Sequence, residues 1–165
     1  MRHTIIATLK EIKDNENRVG LSPHGVAELK RFGHRIIVQK GAGVGAGFSD
    51  ENYLEAGAEI MEDSSEIVDV ADIVVKVKEP LPQEYPLLER MAGKTLYTYF
   101  HLSAADKALT EALVKHRISA VAYEMISGEP PFHSGDLHSQ IMSQKPKKVD
   151  GVPALVNNAL LKGLS

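Results

Sequence analysis

Four side chains of types that handle anions or protons stand where strand-like apolar runs end: Arg18, Lys78, Tyr99 and His101. Lys78 belongs to the run Lys76-Val77-Lys78-Glu79-Pro80, and on a regular strand Lys76 and Lys78 share one face. Two ammonium groups on a buried face are costly unless an anion meets them or the strand end reaches water. One reading is therefore a solvated strand end. The other puts Lys78 in the crevice beyond the carboxyl edge of a parallel sheet, where open α/β sheets take ligands. In Tyr97-Thr98-Tyr99-Phe100-His101-Leu102 the same alternation sets Tyr97, Tyr99 and His101 on one face. Imidazole titrates near neutral pH, so His101 is a candidate general acid/base, with a capping or core histidine as the plainer reading. Arg18 has a guanidinium fork suited to a carboxylate, although most arginines in polar loops are simply solvated. Together these groups describe a pocket for a small anion that exchanges a proton.

The elements that must position them follow from the apolar pattern. Strand-length runs occur at residues 4–9, 34–39, 58–61, 73–77, 94–100 and 118–122. Between them lie helical segments. Ser22-Pro23 starts one, with Val26, Leu29 and Phe32 as its stripe and Gly33 as its left-handed stop. Ser49-Asp50-Glu51 opens a second that ends at Gly57, and Ser64-Ser65-Glu66 caps a third. A fourth spans 83–91 with Pro86 in its first turn, and Ser103 caps a fifth carrying Ala108, Leu109, Ala112 and Leu113. Continuously apolar strands alternating with helices predict a three-layer α/β fold: a parallel sheet with helices on both faces, Rossmann-like or flavodoxin-like. After Glu124 the periodicity stops, which divides the chain into a domain at 1–126 and an irregular tail at 127–165, with a possible last helical turn near 157–164.

The fold is expected to lack a dinucleotide fingerprint. Gly41, Gly43, Gly45 and Gly47 lie between a strand and a helix, but they follow the second strand rather than the first. Their spacing also differs from G-x-G-x-x-G, in which each glycine has its own steric task. The segment reads instead as a mobile loop. His24, His34 and His116 have no metal-ligand partners at useful spacing. His133 and His138 flank Asp136, where a surface loop is the default and a metal site the rarer alternative.

Composition narrows the partners. A net charge of −3, only 5% aromatic residues and a single short lysine cluster at 145–148 argue against nucleic acid. No apolar run approaches the roughly 20 residues that span a bilayer, so no membrane partner is expected. The absence of cysteine excludes disulfides and thiolate metal sites and suits a reducing cytoplasm.

Several segments carry a resemblance in order and with near-family spacing. They are Lys10-Glu11-Ile12-Lys13 through Arg18, Ser22-Pro23, Lys40-Gly41-Ala42-Gly43 through Asp50, and Ala56-Gly57-Ala58. Lys76-Val77-Lys78-Glu79-Pro80, Tyr99-Phe100-His101-Leu102 and Ala122-Tyr123-Glu124 complete the set. Residues 3–126 resemble the N-terminal domain of alanine dehydrogenase, a domain type shared with nicotinamide nucleotide transhydrogenases. The complete Lys-Val-Lys-Glu-Pro run favours the alanine dehydrogenase branch.

The resemblance implies that Arg18 and Lys78 bind the carboxylate and carbonyl of pyruvate, or the matching atoms of L-alanine. It makes His101 the catalytic acid/base and lets Tyr99 line the pocket. It implies NAD as cofactor, yet nothing after Ala122 matches the family's nucleotide-binding loop or its catalytic aspartate. The expectation is a substrate-side domain without NAD turnover by itself, with no cofactor-binding or metal residues of its own. A homo-oligomer, or association with a nucleotide-binding chain, is expected. The alternatives are a pyruvate or amino-acid binding module with a regulatory task, and one subunit of a split transhydrogenase-like enzyme.

Overall fold

The computed structural model describes residues 3–101 and 107–126. They form a six-stranded sheet of order β3-β2-β1-β4-β5-β6. Its strands are β1 (Ile5–Thr8), β2 (Arg35–Gln39), β3 (Glu59–Met61), β4 (Ile73–Lys78), β5 (Thr95–Tyr99) and β6 (Ser119–Ala122), and every adjacent pair is parallel. Helices α1 (Pro23–Arg31) and α2 (Asp50–Glu55) cover one face, packing Val26, Leu29 and Tyr53 against Ile6, Ile36, Val38, Val75 and Tyr97. Helices α3 (Ser64–Val70), α4 (Tyr85–Arg90) and α5 (Lys107–Lys115) cover the other, against Ala7, Ile37, Val74 and Leu96. Successive residues of the central strands thus enter opposite cores, which is why their runs are largely apolar. This is the α/β Rossmann-like fold expected.

The strand order makes the chain reverse direction across the sheet between β1 and β4. Loops after neighbouring strands part there and leave a crevice at the carboxyl edge. Arg18 follows β1, Lys78 ends β4, and His101 lies two residues after β5. Topology alone therefore brings all three to adjoining strand ends.

Local signals behave as their chemistry requires, with two differences. The Ser22 hydroxyl accepts the Gly25 N–H at 3.2 Å, and Gly33 leaves α1 with φ of 84°. Helix α3 is capped by Asp63 rather than by the serines: its carboxylate accepts from Ser65 N at 2.6 Å and Glu66 N at 3.3 Å. An ionised carboxylate is the stronger acceptor for two orphan amides. The second difference is the glycine segment, which is a packed turn rather than a mobile loop. Ala42 is buried, Val44–Ala46 form one 3₁₀ turn, and the Gly41 N–H donates to Asp50 at 2.8 Å. A Cβ at Gly43 would lie 2.5 Å from the Tyr53 ring, and one at Gly45 would lie 2.9 Å from the Asn17 carbonyl oxygen. The glycines let this turn press on the segment that carries Arg18. The predicted Ser103 cap and the tail at 127–165 lie outside the described residues.

Tyr53 cannot yield to a methyl at position 43, because its ring is fully buried and its hydroxyl donates to the Leu21 carbonyl at 2.8 Å. Gly43→Ala is expected to cost about 1–3 kcal/mol in urea unfolding, as overpacking does. A loss under about 0.5 kcal/mol, typical of an unconstrained surface position, would contradict the packed turn.

Candidate active site

The position of Lys78 is set by an irregularity in β4. Val75 pairs with Tyr97 and Lys78 with Tyr99, so three steps on β4 are matched by two on β5. One inserted residue resets the alternation. Lys78 therefore falls on the face of its neighbour Tyr99, and its ammonium stands 5.3 Å from that ring's centre. Lys76 turns the opposite way, toward the segment that opens α4. The shared face expected from strict alternation is thus corrected: the bulge separates the two lysines.

Lys76 is also not a solvated strand end. It is 2% exposed, and its ammonium donates to Glu84 at 2.7 Å and to Glu11 at 3.2 Å. The second oxygen of Glu11 accepts the Val77 N–H at 2.6 Å, with the Lys78 N–H at 3.5 Å. Burial raises the Glu11 carboxyl above its ordinary range, and the Lys76 charge only partly offsets that. The sequence gives neither Glu11 nor Glu84 a role, since each has meaning only when strand order sets it against Lys76.

Beyond the bulge, side chains from three strand ends meet. Tyr99 contacts His101 edge-on at 5.5 Å between ring centres, and Tyr123 at 5.7 Å. Tyr123 lies 5.8 Å from Tyr97, and its hydroxyl donates to the Val77 carbonyl at 2.9 Å. Burial raises the Tyr123 phenol well above its ordinary value, so it stays a neutral donor. The Thr98 hydroxyl donates to the Lys78 carbonyl at 2.9 Å. His101 is exposed and has φ of 48°, a left-handed backbone that costs a non-glycine residue roughly 1–2 kcal/mol. Glu124 holds that bend, accepting the N–H groups of Phe100 at 3.1 Å and His101 at 3.0 Å. Its other oxygen and the Tyr97 hydroxyl are buried without partners among the described residues.

Arg18 reaches this group differently. Its guanidinium donates to both oxygens of Glu16, at 2.7 and 2.5 Å, while its side chain stays 43% exposed. That hydrogen-bonded pairing lowers the Glu16 carboxyl below its usual range. The Lys78 charge also helps to lower the Glu16 carboxyl, and the Arg18 charge partly offsets the rise at Tyr123. Lys78 and His101 thus both stand against the Tyr99 ring, while Arg18 is paired with Glu16. Glu16, Tyr123 and Glu124 were given no role from sequence.

Comparison with known proteins identifies the family. Residues 7–136 match the family model described as "Alanine dehydrogenase/PNT, N-terminal domain". The chain belongs to that family. It is 50% identical over 123 residues to alanine dehydrogenase of Bacillus subtilis strain 168, covering 74% of this chain and 32% of that protein. Against alanine dehydrogenase of Methanococcus maripaludis it is 44% identical over 122 residues, again 74% of this chain and 32% of the relative. Among solved structures, an L-alanine dehydrogenase aligns with a TM-score of 0.69 at 44% identity, over 75% of this chain and 33% of that one. A transhydrogenase from Sinorhizobium meliloti aligns with 0.66 at 26% identity, over 78% and 35%. The chain thus spans about a third of the length of the relatives it matches.

The glycine turn after β2 does not fit the NAD that the family implies. Tyr53 and the Asn17 backbone fill the space above Gly43 and Gly45, where a phosphate would need to approach. The loop after β1 brings two carboxylates, Glu11 and Glu16, rather than a glycine cradle. Among the described residues no three His, Cys, Asp or Glu side chains gather to hold a metal. His133, Asp136 and His138 lie outside them. Among the described residues, too, no helix is long and apolar enough to cross a membrane.

Because the Glu11 carboxyl is raised above its ordinary 4.5, the folded protein keeps a proton there that the unfolded chain has released. This contribution to stability is fullest below pH 4.5 and declines as pH rises through the raised value. Glu11→Gln lacks that titration. Wild type is expected to lose stability relative to Glu11→Gln across the window, read by urea unfolding at several pH values. A difference that is flat in pH, or that grows in favour of wild type, contradicts it.

Proposed function

We propose that this domain is the substrate side of an L-alanine dehydrogenase and clasps pyruvate or L-alanine between Arg18 and Lys78. The observation that carries the reading is Lys78 turned by the bulge onto the face of Tyr99, with His101 edge-on to the same ring. Pyruvate carries one negative charge, and two cations at adjoining strand ends suit its carboxylate and its polarised carbonyl. Arg18 would take the carboxylate by exchanging part of its pairing with Glu16. Lys78 would polarise the carbonyl oxygen. His101 would accept the hydroxyl proton of the carbinolamine as ammonia leaves, and return it in the reverse direction. Tyr99 lines the pocket and keeps water from one side of the lysine.

The overall reaction proposed is that of the relatives' name: L-alanine, NAD and water giving pyruvate, ammonium and NADH. Hydride exchange requires a nicotinamide in contact with the substrate carbon, and the packing above Gly43 and Gly45 gives no support for a phosphate site in the glycine turn. We therefore propose that these 165 residues bind the keto acid without turning over NAD by themselves. A nucleotide-binding unit, in a homo-oligomer or a separate chain, would complete the reaction. The transhydrogenase-like reading rests on the 26% identical neighbour, and the 50% identity to an alanine dehydrogenase favours the first reading.

Calorimetry with pyruvate at low ionic strength tests the clasp. Arg18→Ala and Lys78→Ala are each expected to remove about 1.5–3 kcal/mol, roughly a ten- to hundredfold loss of affinity. Unchanged affinity in both variants would sink the pocket. In a separate assay, the purified chain with L-alanine and NAD is expected to form no NADH. Turnover at about 10 per second, typical of enzymes, would refute the proposed division of labour.

A further inference from the structure

We propose that Glu11 is a positioning residue for Lys78: it holds the β4 bulge open from the neighbouring segment and so decides which face the lysine occupies. The inference rests on the reading of Lys78 as an anion-binding group.

A bulge inserts one residue without a ladder partner, so its backbone groups must find other company. Each is met by a side chain from a different part of the chain. Glu11, after β1, takes the Val77 N–H at 2.6 Å and faces the Lys78 N–H at 3.5 Å. Tyr123, after β6, donates to the Val77 carbonyl, and Thr98 of β5 donates to the Lys78 carbonyl, both at 2.9 Å. Glu11 is the acceptor in this set, and its free oxygen is fixed in turn. Lys76 binds it at 3.2 Å while held by Glu84 at 2.7 Å, and all three side chains are at most 9% exposed.

Stability alone does not call for such a cluster, because well-packed apolar residues often replace buried ion pairs without loss. Its geometry does serve Lys78. Without the inserted residue, alternation would turn Lys78 to the face of Val74, which belongs to the α3–α5 core. The lysine would then point away from Tyr99 and Arg18. Lys76 and Glu84 clamp the carboxylate, the carboxylate clamps the bulge, and the bulge aims the lysine.

The test compares Glu11→Ala with Glu11→Gln in the 165-residue chain. Glutamine keeps an oxygen for the bulge amides; alanine does not. In NMR, nuclear Overhauser effects between the Lys78 side chain and the Tyr99 ring read the lysine's position with no ligand present. They are expected in wild type and Glu11→Gln and absent in Glu11→Ala. Pyruvate affinity is expected to fall at least tenfold in Glu11→Ala and to stay within threefold in Glu11→Gln. A folded Glu11→Ala that keeps both the ring contacts and the affinity overturns the proposal. Should that variant not fold, Glu11→Asp carries the test: its shorter carboxylate cannot serve both Lys76 and the bulge, so retained ring contacts would overturn it equally. If wild type itself does not bind pyruvate, the substrate reading fails, and the ring contacts still decide the positioning.

Discussion

A parallel sheet that inserts one residue into a central strand must satisfy the backbone groups it displaces, and in this protein that constraint governs the strand end that carries Lys78. The extra residue in β4 falls between Val75 and Lys78. Buried amides there are met by a carboxylate, and buried carbonyls by a tyrosine and a threonine hydroxyl. Those donors and acceptors come from the segments after β1 and β6 and from β5. The sheet edge is therefore fixed as one unit, and the orientation of Lys78 depends on all of it. A sheet of regular strands would carry the same residues with the lysine on the wrong side.

Charge is arranged on two levels. Below the rim, Lys76 is enclosed by Glu11 and Glu84, a cluster with more negative than positive groups and almost no exposure. At the rim, Lys78 is half-buried against a ring, and Arg18 is half-exposed with its fork on Glu16. The buried level is closed to an incoming anion, because its one cation is already engaged by two carboxylates. The rim is open, since Arg18 keeps solvent contact and Lys78 is half-buried beside the Tyr99 ring. His101 completes the rim on a strained backbone bend that Glu124 stabilises through two amides.

Much of this was legible in the sequence. Apolar runs marked the strands, because residues buried on both faces of a parallel sheet are mostly apolar. Ser22, Pro23 and Gly33 marked one helix at both ends, since caps are local chemistry. Lys78, Tyr99 and His101 were legible as strand-end residues for the same reason. The bulge was not, because nothing local announces it: no glycine stands in β4, and period-two alternation predicted a shared face for the two lysines. Glu11 was not legible either, because its partner Lys76 lies 65 positions away and meets it only through strand order. The glycine turn was misjudged for a related reason. Glycine permits mobility, but here it permits close approach, and only the placement of Tyr53 and Asn17 distinguishes the two. The chain's membership of the alanine dehydrogenase/PNT N-terminal domain family was carried by ordered motifs, which the matched residues 7–136 bear out.

The most direct test of the clasp is a crystal structure of this chain grown with pyruvate. The account predicts the carboxylate within hydrogen-bonding distance of the Arg18 guanidinium, the carbonyl oxygen facing the Lys78 ammonium, and the His101 imidazole on the same side of the ligand. Pyruvate bound elsewhere, or Lys78 turned toward the face of α3–α5 with Arg18 still closed on Glu16, would contradict it.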